Sequence, residues 1–364
     1  MLGIYKKNID KTLEAYELYW EQTLERALFP IAITGYESKR SKPKHLQSGQ
    51  PLFADTAVTP YEIIDCIDYE LSTTEFLGDF FPHCNMVFTG PGIVAAFLGA
   101  EVLISEGNIW FNPKGKLELK DLHFEYDANN YWLNRCKEII QEGKKRWGNE
   151  VVISLPDLGG VADVLATFRG TEDFLYDLYD EPNEVIRVIN EISELWFVYY
   201  DELSKLCAND SIFSNWSGII SKTSTYMFQS DFCYMLGNDM FNEFIKPDLK
   251  CSFEKTARSC YHLDGVGQLT HLDSLLQIDS LKLVQWVPGA GATDLNHWID
   301  VYDKVLNSGK LLQVVHSNND TSLKQLDTII EKRGSLKGVV HGLMRFDKSQ
   351  REVALKLLDK YEIE

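Results

Sequence analysis

The chain has 364 residues, 45% of them hydrophobic, long enough to bury a substantial core as one large α/β domain or two smaller ones. A formal net charge of −18 and a pI near 4.9 oppose binding to nucleic-acid phosphates and anionic membranes, which leaves small molecules or a protein partner as expected ligands. The seven Cys form no CxxC pair and read as reduced thiols of a cytoplasmic protein, and no run approaches the roughly 18 to 20 uncharged apolar residues of a membrane span.

Residues 1–29 carry charges through MLGIYKKNIDKTLEAYELYWEQ, where a signal peptide needs an apolar core, and are expected to form an N-terminal helical extension. Short β-branched or aromatic runs then recur, bounded by Gly, Pro, Asn or Asp. They predict strands at PIAITG (30–35), MVFTG (86–90), VVISL (151–155), IFSNW (212–216), CYHLD (260–264), LVQWV (283–287), LLQVV (311–315) and GVVHG (338–342). Helical patterns lie between them, with start and stop signals such as Asp180-Glu181-Pro182, Gly309 and Gly334. The runs lack strict alternation, as parallel strands covered on both faces do.

This order predicts an α/β protein, a (β/α)8 TIM barrel, with residues 1–364 as a single domain free of repeats and flexible linkers. An open doubly wound sheet is the alternative. GPGIVAAFLG (90–99) is only superficially a dinucleotide loop, because no acidic residue follows about 20 positions on at a strand end. The segment 107–125, GNIWFNPKGKLELKDLHFE, predicts an inserted β-hairpin turning at Pro113-Lys114-Gly115.

Barrel chemistry is expected where strands run into loops at their C-terminal ends. There the sequence places Asp157, then Trp216, then His262 and Asp264, then Gln285 and Trp286, then His316, and finally His341. His262 and Asp264 lie two apart, so on a strand both point to one side, toward the barrel mouth. One imidazole and one carboxylate could hold a divalent metal, with His316 or His341 as a further ligand, or could act as an acid/base pair. Packing and loop hydrogen bonding are the competing explanation for each. Trp110, Trp216 and Trp286 sit in loop-like contexts and could wall a ring-shaped or apolar ligand, or simply fill the core. Arg169 could bind an anionic group, or pair with Glu172 or Asp173.

Several stretches resemble the uroporphyrinogen decarboxylase superfamily, in particular its corrinoid-linked methyltransferase branch, a TIM-barrel group. They are GPGIVAAFLGAE (90–101), DLGGVADVLATFRGTEDFLYDLYDEPNEV (157–185), QSDFCYMLGNDMFNEFIKPDL (229–249), YHLDGVGQLTHLDSLL (261–276) and QWVPGAG (285–291). The resemblance adds Gln229 and Asp231 to Asp157, His262 and Asp264 as a candidate polar cluster. An N-terminal Arg-Gln-Ala-Gly-Arg stretch is missing, so tetrapyrrole decarboxylation is not expected. The branch's His-x-Cys zinc motif reads His262-x-Asp264 here, and its late Cys is replaced near His341.

A histidine and carboxylate site leaves more positive charge on zinc or another divalent metal than thiolates would, and so suits an alkoxide, ether or amine better than a thiol. The function the resemblance implies is methyl transfer or demethylation of a small molecule. A separate corrinoid protein would act as partner, since the Asp-x-His-x-x-Gly corrinoid motif is absent. A homodimer is one assembly open to the chain, whose oligomeric state the sequence does not fix, and no nucleic acid or membrane is expected as a partner. Two alternatives stand beside it: a metal- or acid/base-assisted decarboxylase or lyase on a small carboxylate held by Arg169 or a loop Lys, and a non-catalytic carrier whose Trp-lined mouth holds a corrinoid or similar ring.

Overall fold

The computed structural model describes residues 9–38, 40–208, 212–289, 298–315 and 319–363. The architecture is mixed α/β, with short, largely parallel strands separated by helices. The main sheet has five parallel strands in the order Val339–His341, Leu311–Val314, Leu281–Val287, Arg258–Asp264 and Thr225–Gln229. Parallel neighbours need long crossovers, supplied here in part by the helices Ile299–Asn307 and Asn319–Arg333. Leu28 adds a parallel bridge to Val340 at one edge, its amide donating to the Val339 carbonyl and its carbonyl accepting from the His341 amide.

The remaining strands form smaller sheets. Pro30–Thr34 lies between Met344–Asp347, parallel to it, and Glu75–Gly78, antiparallel. His83–Cys84 runs parallel to Val152–Ile153, and the Leu155 amide donates to the Ser214 carbonyl at 3.0 Å, linking that pair to Phe213–Ser214.

Successive side chains on a strand point to opposite faces, and this alternation sorts the core into two layers. On one side Leu28, Phe81, Val152, Met227, Cys260, Leu283, Leu311 and Val340 meet in a single apolar cluster. The amphipathic helix Ile9–Trp20 covers that cluster with Tyr16, Tyr19 and Trp20. Its ring edges are anchored by hydrogen bonds from the Tyr19 hydroxyl to the Leu312 carbonyl (3.2 Å) and from Trp20 Nε1 to the Ile220 carbonyl (2.9 Å). On the other side Tyr261, Leu263, Val284, Trp286, Leu312 and Val339 pack toward the helices in the larger core.

Three sequence expectations are corrected. Met86–Thr89 is a 3-10 helix rather than a strand, because Asn85 Oδ1 accepts the Val87 amide and caps a turn; the strand is His83–Cys84. IFSNW pairs only through Phe213–Ser214, antiparallel to Ile220–Ser221, and the strand beside Arg258–Asp264 is Thr225–Gln229. The hairpin begins upstream of 107, joining Glu101–Ser105 to Asn108–Asn112. Its turn is Glu106-Gly107, with φ of 52° and 81°, the positive-φ pair that a two-residue hairpin loop requires.

Candidate functional site

Asp231, His262 and Asp264 meet at the C-terminal ends of two neighbouring parallel strands. One ligating atom from each lies within 4.8 Å of the others. His262 and Asp264 share the inward side of Arg258–Asp264 with Cys260, and His262 Nε2 is 3.9 Å from Asp264 Oδ2. Asp231 follows Thr225–Gln229 at the start of a 3-10 helix, and Gln229 is the register partner of His262. Gly265, at φ 81°, then turns the chain away; a Cβ there would come within 2.9 Å of the Tyr234 ring.

The His262 ring is held by a directed hydrogen-bond relay. Its Nδ1 bonds Gln285 Oε1, Gln285 Nε2 donates to Gln313 Oε1 at 2.7 Å, and Gln313 Nε2 donates to the Ser217 carbonyl at 3.3 Å. The Ser217 carbonyl can only accept, so it orients each amide in turn. Gln285 therefore presents oxygen to His262, the Nδ1 carries the proton, and the Nε2 lone pair is left facing the carboxylates. The Trp216 ring meets the imidazole edge-on at 5.2 Å while its own Nε1 donates to the Met227 carbonyl at 2.9 Å.

The surroundings disfavour charge on Asp231, Asp157 and Asp163. Asp264 Oδ1 is buried with no hydrogen-bond partner among the described residues. Although the Asp231 residue is exposed at the rim, reduced hydration of its carboxyl raises its pKa, with Asp264 adding to the rise and His262 opposing it. Asp157 is 4% exposed, and burial pushes its pKa up to about 7 despite the hydrogen bond its Oδ1 accepts from the Gly159 amide (3.0 Å). Asp163, on the first turn of Val161–Arg169, is likewise raised by burial and by the charge of Asp231. Its two oxygens accept from the Phe232 amide (2.8 Å) and the Asp231 amide (3.1 Å), fixing the Asp231 segment. Gly160 lets this helix approach, since a Cβ there would lie 2.2 Å from the Gln229 carbonyl oxygen.

A cleft of about 850 Å³ opens beside Asp231 and Gln229, between the hairpin and helix Val161–Arg169. Trp110 stands in its wall and is 59% exposed. Arg169 also lines it, but its guanidinium is bound to Asp177 through Nε–Oδ2 (2.6 Å) and Nη2–Oδ1 (3.1 Å). Its Nη1 also donates to the Leu117 carbonyl (3.2 Å), and further ion pairs reach Glu118 and Asp173, so it offers no free charge to an anionic ligand.

Two expected residues lie elsewhere, for one reason. Trp286 follows Gln285, so it faces the opposite side, where it is fully buried and meets Trp298 edge-on at 5.2 Å rather than lining the mouth. His341 follows the inward Val340 and packs on Phe29 at 5.2 Å, with Nδ1 bonded to the Gly342 carbonyl and its pKa lowered to about 4 by burial. The residue that joins His262 and Asp264 is Asp231, not His341. His316 lies outside the described residues. Gln285 orients His262, and Gln229 lines the cleft. Asp163 and Gln313 escaped the sequence reading, although Gln313 is a polar residue inside the apolar run LLQVV at the parity of Leu311.

No family model matches the chain, and no curated protein matches it. Among solved structures it is similar to a methyltransferase from Methanosarcina mazei, with a TM-score of 0.59 and 10% identity over 92% of this chain and 93% of that one. At that identity the likeness is one of fold.

Proposed function

We propose that the chain is a (β/α)8-barrel enzyme of the uroporphyrinogen decarboxylase superfamily that removes a methyl group from oxygen or nitrogen of a small molecule and passes it to a corrinoid on a separate protein. The barrel is supported by the inward apolar layer drawn from successive strands and by the end-to-end fold likeness to a methyltransferase. The single observation that carries the chemistry is the convergence of Asp231, His262 and Asp264 around a His262 Nε2 whose lone pair the glutamine relay leaves free.

These residues suit a divalent metal such as zinc. The donor set is one imidazole nitrogen and two carboxylates, and Asp264 Oδ1, buried and without a partner among the described residues, is a group whose desolvation a cation offsets. His262 Nε2, Asp264 and Asp231 would hold the ion, which supplies Lewis acidity toward the methyl-bearing heteroatom. Gln285 and Gln313 keep the imidazole in the ligating tautomer. Asp157 retains a proton close to neutrality, the property needed to protonate a departing oxygen or nitrogen.

Anaerobic incubation with a reduced corrinoid and a set of methylated alcohols, ethers and amines tests this reading. Methylation of cobalt by one of them, seen in the visible spectrum and lost in His262→Ala, is the expected outcome. Flat spectra together with carbon dioxide release from a carboxylate substrate would replace methyl transfer with a lyase.

A further inference from the structure

We infer that the cleft beside Asp231 binds a small cation carrying N-methyl groups, a methylated ammonium, with Trp110, Phe232 and Met235 facing its methyl surface and the Asp163 carboxylate as its counter-charge. The charge balance of the cleft decides the sign. Its two cationic residues are already paired, Lys116 with Asp173 at 2.6 Å and Arg169 with Asp177 at 2.6 Å. Asp163 and Asp231, also in the lining, have no Lys or Arg partner among the described residues. Asp231 and Asp264 would balance a divalent ion and Asp157 keeps its proton close to neutrality, which leaves Asp163 as the carboxyl facing the cleft without a compensating cation.

The chemistry of the walls decides the class. Both oxygens of Asp163 already accept backbone amides, so it supplies charge more than lone pairs for N–H donors. A methylated ammonium needs only negative potential and contact with aromatic faces or thioether, both of which this lining supplies. Exposed Trp110, the Phe232 ring braced by stacking on Phe174 at 4.2 Å, and Met235 provide such surfaces.

The binding assignment stands on the cleft; that the cation is the methyl donor rests on the methyl transfer proposed above. In that role the ammonium nitrogen has no lone pair for a metal and needs no proton from Asp157, so its own positive charge activates the leaving group, and the C–N bond breaks with its electron pair kept by nitrogen. The methyl carbon bonds to the cobalt of a reduced corrinoid through the cobalt's electron pair. A neutral amine leaves and takes up a proton from solvent.

Calorimetric titration of the full chain at pH 8 with choline, with its uncharged carbon isostere 3,3-dimethylbutan-1-ol, and with trimethylacetate tests the assignment. Choline is expected to bind at least about tenfold more tightly than the isostere, with no binding of trimethylacetate. Trp110→Ala, at an exposed hairpin position, weakens choline severalfold, and Asp163→Asn narrows its advantage over the isostere. Equal binding of the isostere, tighter binding of trimethylacetate, or no detectable choline binding overturns the assignment. Choline binding that persists while no donor methylates the corrinoid removes the methyl-transfer reading alone. Methylation from an ether or alcohol without choline binding removes the cleft assignment alone.

Discussion

His262 and Gln285 are register partners on adjacent parallel strands, and the imidazole Nδ1 bonds the amide oxygen across that pair. Gln313 is in turn the register partner of Gln285, so the relay runs straight across three strands at one level of the sheet.

The relay makes Gln313 a positioning residue. In Gln313→Leu the Gln285 amide loses its acceptor and is free to turn its NH2 toward His262, which moves the proton from Nδ1 to Nε2. Nitrogen chemical shifts of His262 should report the tautomer change, with divalent-metal affinity falling about 10- to 100-fold. Gln313→Glu keeps an acceptor for Gln285 and is expected to restore the tautomer.

Asp157 should leave a pH signature on stability. Its folded pKa of about 7 lies above the ordinary carboxylate value, so between about pH 4 and pH 7 the folded state holds a proton that the unfolded state has lost. Stability falls as pH rises through that window and levels off above it, by up to about 4 kcal/mol from this group. Asp157→Asn should flatten the decline, and denaturant unfolding at pH 5 and pH 8 measures the difference.

Trp286 and Trp110 should separate stability from binding. Trp286→Ala opens a cavity in the core and should cost about 3–5 kcal/mol in urea unfolding. Trp110→Ala touches an exposed hairpin face and should stay within about 0.5 kcal/mol of the parent protein.

The inward pair His262 and Asp264 was legible because strand alternation needs only a spacing of two, and the late strands were legible because their apolar runs are long. The same alternation, applied from Gln285 to Trp286 and from Val340 to His341, would have turned both away from the mouth. Asp231 could be placed near the site by resemblance, but its position depends on Thr225–Gln229 lying beside Arg258–Asp264, a pairing that no local pattern specifies. TYMFQ, flanked by Ser224 and Ser230, carried a strand signal of its own, masked by the equally apolar IFSNW upstream. The Arg169–Asp177 pair spans two helices joined at Gly170, so sequence spacing alone favoured the nearer acids.

Metal content of the purified chain, compared across single variants, tests the centre most directly. The expected result is about one divalent ion per chain, retained in His341→Ala and lost in His262→Ala, Asp264→Asn and Asp231→Asn. Retention of the ion in His262→Ala, or its loss in His341→Ala alone, would contradict a site built from Asp231, His262 and Asp264.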